Sequence, residues 1–240
     1  MYPKADVCWN PVLETLPRER LQDLQLKKFR RIMHWAYEHS PFHRRLYQEA
    51  GVEPGDIKSM QDIARVPKVE KAMMRDIQNK EPYPYGDMLC VPLEQVTAYR
   101  QTSGTTGQPV YQPDTWQDWE WWAEAWATIL YAQGYRSSDR VFLPFGYNVF
   151  VAFWAAHYGA EKLGCEVVPG GVLNTEARLL KMREVRATAF MATPTYVLNM
   201  AETARKKLNI DPVRDLHIQR ITCAGEPDRK STRLNSSHYS

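Results

Sequence analysis

Six consecutive residues, Thr102-Ser103-Gly104-Thr105-Thr106-Gly107, combine four hydroxyl side chains with two glycines. Glycine lets the backbone adopt positive φ and approach a ligand closely. Successive backbone N–H groups in such a turn form a concavity that binds anions, and the hydroxyls add neutral donors. The Gly-x-x-x-x-Gly-Lys-Ser/Thr spacing of a Walker A loop is absent. The segment therefore predicts a phosphate-binding loop, and a mobile surface loop remains the alternative interpretation.

The flanking sequence predicts the elements that position this loop. A strand is expected over 96–100 and a helix over 114–131. Further apolar strands are expected at 140–143, 165–168, 187–191 and 218–224, alternating with helices at 149–163, 175–185 and 194–208. This alternation predicts βαβ units, which build a parallel sheet with helices on both faces. Ligands bind beyond the carboxyl ends of such strands, so the loops that follow the strands are the candidate site loops.

Aromatic side chains follow the strand at 140–143. Tyr147 and Phe150 lie in its loop, and His157 lies on the next helix. An aromatic ligand would gain about 1 kcal/mol for each well-placed ring contact beyond burial. Ordinary core aromatics, and a histidine that serves only in packing, remain alternatives.

The region before the first strand predicts a mainly helical segment. A helix is expected from Pro17 to His39, with proline near its first turn and Ser40-Pro41 at its end. Its basic residues predict a solvated face, and a membrane-surface or nucleic-acid helix is the alternative. Four tryptophans at helical spacing predict a buried stripe, with Trp121 off the stripe: Trp116, Trp119, Trp122 and Trp126.

The composition is that of an ordinary globular protein. The 240 residues are 44% hydrophobic and 25% charged, with a formal net charge of +3. The sequence has no concentrated basic run of the kind that predicts nucleic-acid binding. It also has no apolar run long enough to predict a membrane span. The four cysteines form no Cys-x-x-Cys pair and the histidines have no metal-ligand spacing. We therefore expect a cytoplasmic protein with reduced thiols, no bound metal of its own, no nucleic-acid partner and no membrane contact.

The segment from Thr102 to Pro109 resembles the ATP-phosphate loop of the adenylate-forming superfamily, which includes acyl-CoA synthetases, luciferases and adenylation domains. Further segments narrow the resemblance to phenylacetate–CoA ligases: 145–150, 156–165, 168–171, 193–196 and 224–227. The resemblance covers nearly all of residues 1–227. It departs at Gln108, where many members carry lysine, and at Phe145 and Asn148, where tyrosine and glycine are common. Gln108 therefore contributes no charge to the loop, and the departures at Phe145 and Asn148 leave the identity of the acid open.

The resemblance implies an α/β fold, the truncated N-terminal domain of an adenylate-forming enzyme. Such enzymes use ATP, Mg²⁺ and coenzyme A to convert a carboxylic acid to an acyl adenylate and then to an acyl-CoA. Phenylacetate is the expected acid, and a homodimer is one expected assembly. The resemblance implies that six residues hold the β- and γ-phosphates: Thr102, Ser103, Gly104, Thr105, Thr106 and Gly107. It implies an adenine and acyl loop at Ala224, Gly225, Glu226 and Pro227, for which a plain strand-to-helix turn is the alternative. It implies an acyl pocket at Tyr147, Phe150 and His157.

Three regions are expected along the chain. Residues 1–95 form a mainly helical part, 96–227 form an incomplete α/β nucleotide- and acyl-binding part, and 228–240 form a non-native tail. The tail resembles a translated sequencing adapter, and a natural polar terminus is the alternative. The resemblance places a Tyr-Gly-x-Ser/Thr-Glu motif, whose glutamate helps bind Mg²⁺, beyond Pro227, together with a ribose-binding aspartate and a catalytic lysine. The catalytic residues are therefore unknown, and we expect the 240-residue chain to form little or no acyl-CoA.

Competing functions remain. The same chemistry could serve another acid or another acceptor, because a pocket discriminates one methylene by only about 1–3 kcal/mol. A non-catalytic nucleotide- or acyl-binding module is a function of a different class. A basic-helix nucleic-acid binder is the least favoured.

Overall fold

The computed structural model describes residues 7–102, 108–149 and 151–226. The chain divides into two compact units, Met1–Trp121 with Val149–Val151 and Trp122–Asn148 with Ala152–Ser240. The boundary expected near residue 95 stays a prediction, and the tail at 228–240 lies outside the described residues. Within the described ranges, no helix is both long and apolar enough to cross a membrane.

The first unit begins with helices. These are α1 (Pro11–Glu14), α2 (Arg18–His39), α3 (Pro41–Glu49) and α4 (Lys71–Gln78), with 3-10 turns at Pro54–Asp56, Gln61–Arg65, Gly86–Met88 and Leu93–Gln95. Helix α2 confirms the predicted helix. It ends where Ser40 becomes extended before Pro41, as the residue before proline tends to do. The Ser40 hydroxyl then caps α3 by accepting from the backbone N–H of His43 at 3.3 Å.

A two-stranded hairpin follows these helices in the first unit. Strand β1 (Ala98–Gln101) pairs antiparallel with β2 (Tyr111–Asp114). Strand β1 confirms the predicted strand, but β2 was not predicted and Asp114 does not begin the next helix. Pro113 lacks a backbone N–H, and proline is therefore uncommon within strands. A prediction from residue propensities misses β2 for this reason. Helix α5 (Trp116–Ala132) begins after Thr115, whose hydroxyl accepts from the backbone N–H of Asp118 at 3.2 Å.

The second unit is built on a four-stranded parallel sheet. Its strands are β3 (Arg140–Leu143), β4 (Glu166–Pro169), β5 (Ala189–Ala192) and β6 (Arg220–Cys223), in the spatial order β4–β3–β5–β6. Helices α6 (Val151–Lys162), α7 (Thr175–Glu184) and α8 (Pro194–Leu208) connect them. All neighbouring pairs are parallel, which confirms the predicted βαβ architecture. Phe142 and Phe190 lie in a core with Leu179, Met182 and Met200.

The strand order determines where a ligand would bind. From β3 the chain moves outward to β4 and then crosses back to β5 on the other side of β3. The topological switch point therefore lies between β3 and β5. In open parallel sheets, ligands bind in the crevice beyond the carboxyl ends of the strands at such a point.

The predicted tryptophan stripe on α5 is wrong at its first position. Trp119 is buried, with 4% of its surface exposed, whereas Trp116 is 57% exposed. The buried face continues through Ala123 and Ala127, four residues apart. Trp116 has the spacing of this face, but it is the first residue of the helix and precedes the point where burial begins. Trp121 is 64% exposed, as its position off the stripe predicts.

Candidate functional site

Two hydrogen bonds between Thr102 and Val110, in the hairpin of the first unit, close the base of the predicted phosphate loop. The backbone N–H of Thr102 donates to the carbonyl of Val110 at 3.0 Å, and the N–H of Val110 donates to the Thr102 hydroxyl at 3.0 Å. The hydroxyl oxygen therefore acts as an acceptor here, and a hydroxyl group that accepts can also donate its own proton. The other predicted phosphate ligands, Ser103 to Gly107, lie outside the described residues.

Helix α4 supports this hairpin through two side chains. Gln78 is buried, and its amide donates to the carbonyl of Tyr111 at 2.7 Å and accepts from the N–H of Tyr111 at 2.9 Å. It thus pairs with β2 as a neighbouring strand would. Arg75 Nε donates to the carbonyl of Gln108 at 2.8 Å, while its Nη2 is buried and has no hydrogen-bond partner in the described part of the chain. Nothing in the sequence signalled either contact.

The aromatic residues after β3 form a hydrogen-bonded chain in the second unit. Tyr147 Oη lies 2.6 Å from His157 Nδ1, and His157 Nε2 lies 3.0 Å from a carboxylate oxygen of Glu161. A carboxylate only accepts, so it orients the Nε2–H of the imidazole toward itself. With a neutral ring, Nδ1 then accepts the proton of the Tyr147 hydroxyl. Of the predicted acyl-pocket residues, the structure thus brings Tyr147 and His157 together, and Phe150 lies outside the described residues.

Burial and charge both act on this tyrosine. Burial raises the pKa of Tyr147 above its ordinary value, and the nearby charge of Glu161 adds to the shift. Its hydroxyl therefore stays protonated through the physiological range. The sequence analysis missed Glu161, although its spacing of four residues from His157 on a predicted helix is the usual spacing of a side-chain pair.

The loop after β6 lies against the start of α8. The backbone N–H of Thr195 donates to the Glu226 carboxylate at 3.1 Å, and the Thr195 hydroxyl also donates to it. The positive end of the helix dipole favours a carboxylate at this position. Gly225 has φ of +89°, a backbone conformation that glycine adopts at little cost. Ala224 and Gly225 follow β6 as predicted, and Pro227 lies outside the described residues.

The loops after β3 and β4 touch each other. A methyl group added at Gly171 would stand 3.5 Å from the Phe145 carbonyl oxygen, and one added at Gly146 would stand 3.9 Å from the Gly171 carbonyl oxygen. Gly170 packs so closely on Phe142 that an added methyl group would lie 2.6 Å from its ring. The distances at Gly146 and Gly171 are ordinary van der Waals contacts, so the two loops touch there without requiring glycine, whereas Gly170 leaves no room for a side chain.

The described residues contain no group of three or more histidine, cysteine, aspartate or glutamate side chains that could hold a metal ion.

The chain is similar to curated enzymes of known name. The phenylacetate-coenzyme A ligase of Pseudomonas putida is 35% identical over 227 residues, which are 95% of this chain and 50% of that protein. The enzyme of the same name from Thermus thermophilus is 35% identical over 92% of this chain and 48% of its own length. The chain spans about half the length of the curated relatives it matches. No family model matches the chain.

Solved structures share the fold. A 2-hydroxyisobutyryl-CoA ligase in complex with 2-HIB-AMP and CoA, in the thioesterification state, superimposes with a TM-score of 0.90 at 31% identity. The match covers 99% of this chain and 50% of that one. An open conformation of that ligase gives a TM-score of 0.89 at 29% identity.

Proposed function

We propose that this chain, which belongs to the phenylacetate–CoA ligase family, is the N-terminal half of an ATP-dependent enzyme that joins a carboxylic acid to coenzyme A. The observation that carries the proposal is the 35% identity over 227 residues. Such a match runs through every predicted site loop, from the phosphate loop to the loop after β6.

The reaction has two steps. A carboxylate oxygen of the acid attacks the α-phosphorus of ATP, the bond to the β-phosphate breaks, and pyrophosphate leaves. The thiol of coenzyme A then attacks the acyl carbonyl, loses its proton, and AMP leaves. Because two anions meet in the first step, positioning and charge neutralisation dominate its barrier. Mg²⁺ would supply part of that neutralisation on the phosphates.

The hairpin of the first unit is the proposed phosphate site, and the loop after β6 in the second unit is the proposed adenine loop. Residues Thr102 to Gly107 would hold the β- and γ-phosphates through backbone N–H groups and hydroxyls. The Thr102 hydroxyl accepts from the Val110 N–H and can still act as a donor, which supports this role. Ala224, Gly225, Glu226 and Pro227 would lie along the adenine.

The acid would bind beside Tyr147, Phe150 and His157, and phenylacetate is the proposed substrate. The rings after β3 support an aromatic acid, since Phe145 stacks on Phe153 with centroids 3.8 Å apart. The similarity to a 2-hydroxyisobutyryl-CoA ligase supports a second candidate, a small 2-hydroxy acid. For that acid, the lone pairs of Tyr147 Oη would accept the substrate hydroxyl proton. A cytoplasmic location and a homodimer are further parts of the proposal.

Replacing two loop hydroxyls tests the nucleotide assignment. In the full-length protein, Thr105→Val with Thr106→Val should lower acid-dependent ATP–pyrophosphate exchange by at least about 100-fold, because two donors to the phosphates are lost. Thr128→Val with Thr203→Val is the matched control, since it removes two hydroxyls from helices outside the site loops, and it should retain exchange. Undiminished exchange in the loop variant would remove the assignment.

A further inference from the structure

One guanidinium holds the turn after β4. Arg178 on α7 donates from Nε to the carbonyl of Gly170 at 3.0 Å and from Nη2 to the carbonyl of Gly171 at 2.8 Å. The Nε and Nη2 donors form the two-pronged edge of the guanidinium, and here each prong meets one of two successive carbonyls. The side chain therefore fixes both the position and the orientation of this turn.

The third donor of Arg178 reaches another helix. Nη1 donates to the hydroxyl oxygen of Tyr196 at 2.7 Å, and this oxygen lies 3.2 Å from the hydroxyl of Thr175. Tyr196 follows Thr195, the residue that binds the Glu226 carboxylate. Arg178 thus joins the turn after β4 to the first turn of α8, which binds the predicted adenine and acyl loop through Glu226.

The hydrogen-bond acceptors of Arg178 given by the structure are all neutral. Among the described residues, no ion pair includes this side chain. A hydrogen bond from a charged donor is about twice as strong as a neutral one. A lysine at this position would carry the same charge, but it would act as a point charge without the fork. The geometry therefore favours arginine for its shape and not only for its charge.

The turn that Arg178 holds contacts the end of β3 and the residues that precede Tyr147. The N–H of Gly170 donates to the carbonyl of Leu143 at 2.8 Å, at the end of β3. Gly171 lies against Phe145 and Gly146, the residues immediately before Tyr147. A shift of the turn would therefore move the segment that presents the tyrosine hydroxyl.

We infer that Arg178 is a positioning residue that holds the Gly170–Gly171 turn against residues 145–147 and so sets the width of the acyl pocket. The inference rests on the proposed function, because it assigns the pocket at Tyr147 to the acid. Its chemical consequence is selectivity: a fixed turn excludes acids that are longer than the preferred one.

Acid selectivity tests the functional consequence. In the full-length protein, Arg178→Lys should lower the ratio of kcat/KM for phenylacetate to that for 3-phenylpropanoate by at least about 5-fold, since one methylene is discriminated by about 10–200-fold in a fitted pocket. The KM for ATP should change by less than about twofold. Arg183→Lys, the same substitution on an exposed part of the same helix, should change neither quantity. An unchanged ratio in Arg178→Lys, or a KM for ATP that rises as much as the ratio falls, would overturn the inference.

Hydrogen exchange tests the contact without relying on activity. In the 240-residue chain, Arg178→Lys should speed exchange of the Gly170 amide by about tenfold relative to Arg183→Lys, while β5 amides keep their rates. Unchanged exchange at Gly170, or equal acceleration in β5, would contradict the role. Tyr196→Phe removes the hydroxyl that accepts from Arg178, and it should speed exchange of the Gly170 amide by a smaller factor. This second variant tests the contact if Arg178→Lys does not fold. Absence of acid-dependent pyrophosphate exchange in the unmodified full-length protein would reject the proposed function alone.

Discussion

The predicted phosphate loop and the predicted acyl pocket rest on differently built supports. The hairpin in the first unit has no buried residue in β1, and the Gln78 side chain from α4 pairs with the backbone of Tyr111 in β2. In the second unit, all four residues of β5 are buried, and backbone pairing on both sides satisfies the strand. The loops beyond that sheet are joined mainly by side-chain contacts, such as those of Arg178 and Glu226.

This difference has a dynamic consequence. Elements with few buried apolar contacts open with a smaller free energy than core strands do. The hairpin is therefore the more easily opened support, and the sheet is the rigid one. A loop that must surround a triphosphate and later release pyrophosphate gains from the first kind of support, whereas a selective acid pocket gains from the second.

The largest expected difference lies in core truncation. Phe190→Ala in β5 should lower the free energy of unfolding of the second unit by about 3–5 kcal/mol, because Phe190 is buried in the core. Tyr99→Ala in β1 should cost the first unit less than about 1 kcal/mol, since Tyr99 is 38% exposed. Exchange of the slowest amides in each unit would give both values. Equal costs would break the comparison between the two supports.

An intermediate effect is expected where a side chain replaces a strand. Gln78→Leu should lower the free energy of unfolding of the first unit by about 2–3 kcal/mol, because the partly buried N–H and carbonyl of Tyr111 both lose their hydrogen bonds to Gln78. Gln48→Leu, at an exposed position of α3, is the matched control and should cost less than about 0.5 kcal/mol. Urea titration of both variants provides the measurement. A Gln78→Leu protein as stable as the control would show that the hairpin does not depend on α4.

The smallest expected effect concerns pH and the rigid unit. Burial raises the pKa of the Cys165 thiol from 9.0 to about 11, and the charge of Asp139 adds to the shift. The unfolded chain therefore loses this proton before the folded chain does. The stability that the protonated thiol contributes is fully present below pH 9 and is lost as the pH rises toward 11, by about 1–2 kcal/mol. Urea titrations at pH 8 and pH 11 should show a smaller alkaline loss in Cys165→Ala than in the unmodified chain, and parallel losses would contradict the burial of the thiol.

Much of the sheet was predictable because each of its strands is a short apolar run between helical segments. Strands β3 to β6 lie within two residues of their predicted ends. Strand β2 was missed because it contains Pro113, which is unfavourable in a strand. Its pairing with β1 and with Gln78 also depends on contacts between residues that are distant in sequence. Trp116 was wrongly placed in the core because helical spacing identifies a face but not where along the helix burial begins.

The site was less predictable than the fold. Hydroxyls and glycines identified the phosphate loop, and a family resemblance was needed to assign it to ATP. Tyr147 and His157 were expected only to line the same pocket. The structure shows that Tyr147 Oη and His157 Nδ1 form a hydrogen bond at 2.6 Å. Arg178 and Gln78 carried no signal, because an arginine or glutamine on a helix is ordinarily solvated and its partner carbonyls leave no trace in the sequence.

Acid-dependent ATP–pyrophosphate exchange by the full-length protein tests the central claim most directly. The account predicts exchange that requires both Mg²⁺–ATP and a carboxylic acid, with phenylacetate giving the highest kcat/KM in a panel that includes 2-hydroxyisobutyrate. A preference for 2-hydroxyisobutyrate would keep the ligase chemistry and replace the acid. ATP binding without exchange for any acid in the panel would contradict the account and favour a non-catalytic nucleotide-binding protein.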